Sequence, residues 1–133
     1  MKYSIYISYL CLLGTFSFLS CTSTTQKGVD LNPTEFKAAI ENESNAVILD
    51  VRTPEEMAQG IIPGAKNIDF RGDNFKAKLA QLDKDKTYYV YCRSGGRSGK
   101  TCNSLQTAGF LNIYNLKGGI TAWKEAGLET VQQ

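Results

Sequence analysis

Histidine is absent from this 133-residue chain. A Cys–His catalytic pair is therefore excluded, and so is the commonest zinc ligand. The four cysteines, Cys11, Cys21, Cys92 and Cys102, follow no metal-ligand spacing, so neither a metal nor a cofactor is expected. Excess charge is also scarce. The net charge is +2 and no basic cluster stands out, which argues against a nucleic-acid partner. Internal repeats and linkers are missing too. With 42% hydrophobic residues, a chain of this length is expected to build one compact domain.

What is present begins with an apolar run. Lys2 precedes residues 3–20, which are mostly apolar but interrupted by Ser4, Ser8, Gly14, Thr15 and Ser17. A basic start, an apolar core and small residues at its end describe an export signal. Its last residues, Phe18-Leu19-Ser20-Cys21, resemble a bacterial lipobox, with Phe18 where leucine is usual. That resemblance implies cleavage before Cys21 and lipidation of its thiol. The alternatives are a secretory signal cleaved elsewhere, or an uncleaved anchor. The expected organisation is a signal peptide at 1–20, a flexible tether at 21–28, a domain at 29–128 and a C-terminal tail at 129–133. The expected location is the bacterial cell envelope, periplasmic and lipid-anchored to a membrane.

Strand and helix signals alternate through the rest. Val29 to Leu31 suits a short edge strand. Asn32-Pro33-Thr34-Glu35 predicts a capped helix start, with proline at its first position. Ala46-Val47-Ile48-Leu49, ending at Asp50, reads as a strand buried on both faces. Thr53-Pro54-Glu55-Glu56 is a second capping box, opening a short helix that stops near Gly60. A short strand is expected from Ala65 to Ile68. A helix opening at Asp73 or Asn74 follows, with Phe75, Leu79 and Leu82 on one face. Thr87 to Tyr91 is a strand, Ser98 to Ala108 a helix closed by Gly109, Asn112 to Leu116 a strand, and Ile120 to Ala126 a last helix around Trp123. The alternation predicts an α/β domain with a mainly parallel sheet.

One stretch carries chemistry. Thr87-Tyr88-Tyr89-Val90-Tyr91 runs into Cys92, then Arg93-Ser94-Gly95-Gly96-Arg97-Ser98, then a helix. A thiol there meets cationic side chains and a helix N-terminus, both of which favour thiolate. The loop's amides would also hold an anion. Asp50 and Arg52 lie at the end of another strand, where parallel sheets bind ligands. They either orient the loop or form a structural pair beside it.

Four segments together resemble the rhodanese domain family. Ile48-Leu49-Asp50-Val51-Arg52-Thr53-Pro54-Glu55-Glu56 is similar to its first signature, and Gly60-Ile61-Ile62-Pro63-Gly64-Ala65-Lys66-Asn67-Ile68 to its second. Cys92 to Ser98 resembles the active-site loop, and Leu116-Lys117-Gly118-Gly119-Ile120-Thr121-Ala122-Trp123 the closing signature. Ile61 stands where the family usually has histidine. The resemblance implies a five-stranded, mainly parallel sheet with helices on both faces. It also implies a sulfurtransferase in which Cys92 forms a persulfide. Thiosulfate or a similar small anionic compound would be the donor, and cyanide or a thiol the acceptor. Arg93, Ser94, Gly95, Gly96, Arg97 and Ser98 would bind substrate.

Three other readings share the same residues. Cysteine phosphatases place arginine where Ser98 stands, and here Arg97 comes one residue early. Cys92 and Cys102 together would suit a thiol oxidoreductase. A sulfur-carrier or binding module would keep the cysteine without turnover.

Overall fold

A computed structural model describes residues 28–133. The expected signal peptide, the expected lipidation site at Cys21 and nearly all of the expected tether lie outside the described residues.

The elements are β1 (Val29–Leu31), α1 (Pro33–Asn42), β2 (Ala46–Asp50), α2 (Pro54–Met57), β3 (Lys66–Asn67), α3 (Phe75–Ala80), β4 (Thr87–Tyr91), α4 (Gly96–Thr107), β5 (Ile113–Leu116) and α5 (Gly119–Glu125). The five strands pair in the order β1-β5-β4-β2-β3, and every pair is parallel. This is the α/β sheet expected from the alternation of elements.

Both predicted capping boxes form. The Asn32 side chain accepts from the Glu35 amide at 3.0 Å, and the Glu35 carboxylate accepts from the Asn32 amide at 2.9 Å. Thr53 and Glu56 repeat the exchange at the start of α2. Each cap is worth about 1 kcal/mol, which matters most for α2, a single turn.

Side-chain alternation along β4 divides the core. Tyr88, Val90 and the following Cys92 pack with Leu49, Val51, Leu79, Cys102 and Leu105. Tyr89 and Tyr91 pack with Phe36, Leu116, Ile120 and Trp123. So α3 and α4 cover one face of the sheet while α1 and α5 cover the other. The two-residue period of a strand carries on past its end and aims Cys92 toward α4.

Four expectations change in detail. First, β2 is fully buried only at Leu49 and Asp50, with 46–48 half-buried. Its outer neighbour β3 is two residues long and pairs only with Leu49 and Asp50, so the start of β2 has an open side. Second, α4 begins at Gly96, two residues before the predicted Ser98. Gly95 adopts φ +97°, and this left-handed turn lets the helix start at once. Third, α5 starts at Gly119, a residue ahead of the prediction. Fourth, the segment after residue 128 packs on the domain. Val131 and Ile61 exchange two backbone hydrogen bonds of 2.9 Å, and the Trp123 indole donates to the Glu129 carbonyl at 2.8 Å. Ile61, the departure from the family pattern, is thus a buried partner of the C-terminal segment.

Candidate active site

The strand ends of β2 and β4 frame the site. The Val51 amide donates to the Tyr91 carbonyl at 3.0 Å, so the ladder continues to the residue before Cys92. Beyond it the chain turns through Arg93 and Ser94, both exposed, to Gly95 and into α4.

Cys92 is 1% exposed. The Gly95 amide donates to its Sγ at 3.2 Å. The Ser98 hydroxyl lies 3.4 Å from Sγ and 3.1 Å from the Gly95 carbonyl, so its single proton serves one of them at a time. Burial works against a thiolate here. Hydrogen bonds from the Ser98 hydroxyl and from the Ser98, Ser94 and Gly95 amides outweigh it and hold the thiol below its ordinary pKa. The sulfur sits over the first turn of a 12-residue helix, whose free amides add to the same effect. Anionic sulfur is therefore stabilised by backbone and hydroxyl, as a chain without histidine requires.

This has a measurable consequence. Reactivity of Cys92 toward iodoacetamide tracks thiolate, so it falls as pH drops through the depressed pKa. The midpoint of the pH–rate profile is expected below that of an ordinary thiol, and Ser98→Ala should raise it. A Ser98→Ala profile superimposed on that of the parent would remove the hydroxyl from the explanation.

Cys102 shares the burial but not the donors. It is 1% exposed, and burial together with the nearby Asp30 charge pushes its thiol up to about 12. Both cysteines are free. A thiol so rarely ionised is a poor resolving nucleophile, and its packing with Leu105 and Phe110 makes it a core residue.

Asp50 and Arg52 form a buried pair beneath the loop. The Arg52 guanidinium meets Asp50 at 2.6 Å, then donates to the Glu56 carbonyl at 3.0 Å and the Gly60 carbonyl at 2.9 Å. All of these bonds tie β2 to α2 and the Gly60 turn; none reaches Cys92. Of the two roles left open by the sequence, this geometry is the structural one. Breaking such a pair from one side costs about 3–5 kcal/mol, because the other charge stays buried.

Arg97, expected among the substrate-binding residues, is engaged with a carboxylate. It lies in the first turn of α4 and makes a bidentate contact with Glu56, at 2.6 and 2.7 Å. Glu56 first, and Cys92 after it, keep the Arg97 guanidinium above its ordinary pKa. Glu56 is a site residue that the sequence showed only as a cap. It completes the Thr53 box and clamps α4 to α2, and Arg97 lowers its carboxyl to about 2. The stability tied to this group is complete above 4.5 and is lost as pH falls toward 2. Urea midpoints of Glu56→Gln should therefore change less across that window than those of the parent. Equal acid sensitivity would show that the clamp carries no linkage.

Gly119 was missed as well. Its backbone crosses the loop so closely that a Cβ would lie 2.5 Å from the Cys92 and Arg93 carbonyl oxygens. The Ile120 amide donates to the Cys92 carbonyl at 2.9 Å and the Thr121 amide to the Arg93 carbonyl at 3.2 Å. The glycine pair was visible in the sequence as part of the closing signature, with nothing to show that it crosses the loop.

Known proteins agree with this architecture. Residues 32–126 match the Rhodanese-like domain family. A sulfurtransferase of Allochromatium vinosum is 36% identical over 92 residues, 69% of this chain and 84% of the relative. A chloroplastic thiosulfate sulfurtransferase of Arabidopsis thaliana is 40% identical over 92 residues, 62% of this chain and 77% of the relative. The crystal structure of a rhodanese-related protein from Thermoplasma volcanium superposes with TM-score 0.70 at 32% identity, covering 79% of this chain and 99% of that one. The family match spans four of the five strands, the loop carrying Cys92 and the α5 crossing that fastens it, and on that ground this chain belongs to the rhodanese-like domain family.

Proposed function

We propose that the protein is a sulfurtransferase that takes sulfane sulfur from a small anionic donor, with thiosulfate as the first candidate, and passes it to a thiol or cyanide. The observation that carries the reading is the Cys92 Sγ, buried and held by the Gly95 amide and the Ser98 hydroxyl. The Cys92 thiolate attacks the sulfane sulfur of thiosulfate. A new S–S bond forms, the bond inside thiosulfate breaks, and sulfite leaves with its electron pair. Cys92 then carries a persulfide anion. The loop amides that lower the thiol pKa stabilise this anion equally, since it occupies the same nest with one more sulfur. An acceptor thiolate attacks the outer sulfur, and Cys92 leaves as thiolate. No net oxidation occurs and no metal or cofactor is called on.

Thiosulfate as donor draws support from the name of the Arabidopsis relative. Intact-mass measurement after incubation with thiosulfate tests it. A gain of one sulfur mass, removed by cyanide with release of thiocyanate, is the expected result. No adduct with thiosulfate or with polysulfide would overturn the reading. An adduct that cyanide or thiols never discharge would favour the carrier module.

The proposal also places the protein in the cell envelope, anchored by lipid on Cys21. Its support is the basic start, the apolar run and the Ser20-Cys21 end. Incorporation of labelled palmitate that Cys21→Ala abolishes is the expected result; equal labelling of the variant would refute it.

A further inference from the structure

A cavity of about 310 Å³ lies between α4 and the β1–β5 edge of the sheet. Gly99, Cys102 and Asn103 of α4 form one wall, Asp30 and Asn115 of the sheet the other, and Gly95 closes one end. Asp30 and Asn115 are register partners on neighbouring strands. Asn115 is also level with Val90, which packs beneath α4, so both polar side chains rise on the α4 side. Room is left because Gly95 and Gly99 carry no side chain. A Cβ on Gly99 would lie 3.8 Å from the Asn115 Nδ2. Asp30 and Asn103 are exposed and mark the mouth.

The polar groups here are one-sided. Asn115 is 6% exposed. Its Nδ2 donates to the Asp30 carboxylate at 2.7 Å, which fixes the amide, since a flipped amide would set two oxygens together. The buried Oδ1 is then an acceptor with no donor among the described residues. Asp30 adds a negative charge, and among the described residues it makes no ion pair. No described lysine or arginine lines the cavity. That charge is felt within it, because Asp30 helps to push up the Cys102 thiol.

We infer that this cavity binds a small primary amine as its ammonium ion, with Asp30, the Asn115 Oδ1 and the Asn103 side-chain oxygen as acceptors. An ammonium group has three donors and no acceptor, which matches these three acceptors and their one negative charge. Water would answer the amide oxygen and leave the charge uncompensated. A divalent cation is a poorer match, since it takes about six oxygen ligands or more and favours several carboxylates. Gly95, Gly99 and Cys102 present carbon and sulfur, which suits a short alkyl body. The site is distinct from that of Cys92, which does not line it, and is independent of the sulfurtransferase reading. It meets the catalytic loop at Gly95, whose amide donates to the Cys92 Sγ.

The test uses propylammonium and tetramethylammonium chlorides, monocations of similar size of which only the first has N–H donors. The isotope-labelled protein is titrated with each at neutral pH and constant ionic strength, and the NMR signals of the Asn115 side-chain amide and the Gly99 backbone amide are followed. Propylammonium is expected to move both signals to saturation, and tetramethylammonium to move neither. Asp30→Asn keeps an oxygen for the Asn115 Nδ2 and removes the charge. It should weaken propylammonium about tenfold, the scale of one charge-assisted hydrogen bond, while signals remote from the cavity stay in place. Equal responses to the two salts in the parent protein, as a cavity holding water alone would give, overturn the site. So does an affinity that Asp30→Asn leaves unchanged.

Discussion

Cys92→Ser is expected to fold normally and to transfer no sulfur. The serine hydroxyl enters the same nest, where the Gly95 amide and the Ser98 hydroxyl already point at a heteroatom, so no donor is stranded. The change in stability should stay within about 1 kcal/mol. Activity has no such latitude. An alcohol does not ionise near neutral pH, and an oxygen in place of Sγ forms no persulfide. Turnover of thiosulfate to thiocyanate should fall to background and the one-sulfur adduct should vanish. The companion Cys102→Ser separates chemistry from packing. Cys102 is equally buried, but it lies among Leu105, Phe110 and Cys92, with no donor ring around it. Its replacement exchanges a buried thiol for a hydroxyl and should cost about 1–3 kcal/mol while leaving the adduct intact. An adduct that survives Cys92→Ser and is lost in Cys102→Ser would reverse the assignment of the nucleophile.

The two cysteines also show what the sequence could and could not disclose. Cys92 was legible because its signals are local. A β-rich run stops, two glycines and two arginines follow, and a helical pattern begins. The capping boxes of α1 and α2 were legible for the same reason, since Asn32 with Glu35 and Thr53 with Glu56 are three residues apart. The parallel sheet followed from the order of elements. What stayed hidden depends on pairs distant in the chain. Arg97 and Glu56 are 41 residues apart, so the sequence offered a cap and a loop arginine where the fold makes one clamp. Ile61 and Val131 meet across a still longer separation, which local patterns in the C-terminal segment do not disclose. The early start of α4 is a different case. The helical pattern was read from Ser98, but Gly95 in a left-handed conformation makes the turn and no side-chain cap is used. A glycine pair shows that a turn exists without showing which of its residues begins the helix.

Gly119→Ala should be the most damaging small substitution outside the catalytic thiol. Two effects add. Gly119 holds φ +60°, where a residue with a Cβ loses about 1–2 kcal/mol. The added carbon would also lie 2.5 Å from the Arg93 carbonyl carbon and oxygen and from the Cys92 oxygen. These are backbone atoms, pinned by the Ile120 and Thr121 amides, and they cannot swing aside as a flexible side chain would. Relief requires α5 to retreat from the loop, which breaks those hydrogen bonds and shifts the segment that aims amides at Cys92. The expected loss is about 3–5 kcal/mol, with slower persulfide formation in whatever fraction folds. Gly127→Ala isolates the backbone contribution, because Gly127 has φ +72° and nothing within 4 Å of its Cβ position. Urea midpoints of the two variants should therefore differ by the steric part alone, with Gly119→Ala the lower. Equal midpoints, with the rate of thiosulfate adduct formation unchanged in both, would mean that the loop does not depend on the α5 crossing. The closeness of that crossing also explains why α5 opens on glycine. A side chain at Gly119 would hold the helix off the loop carbonyls, whereas one at Gly118 would strike α5 itself, since a Cβ there would lie 2.6 Å from the Ala122 Cβ.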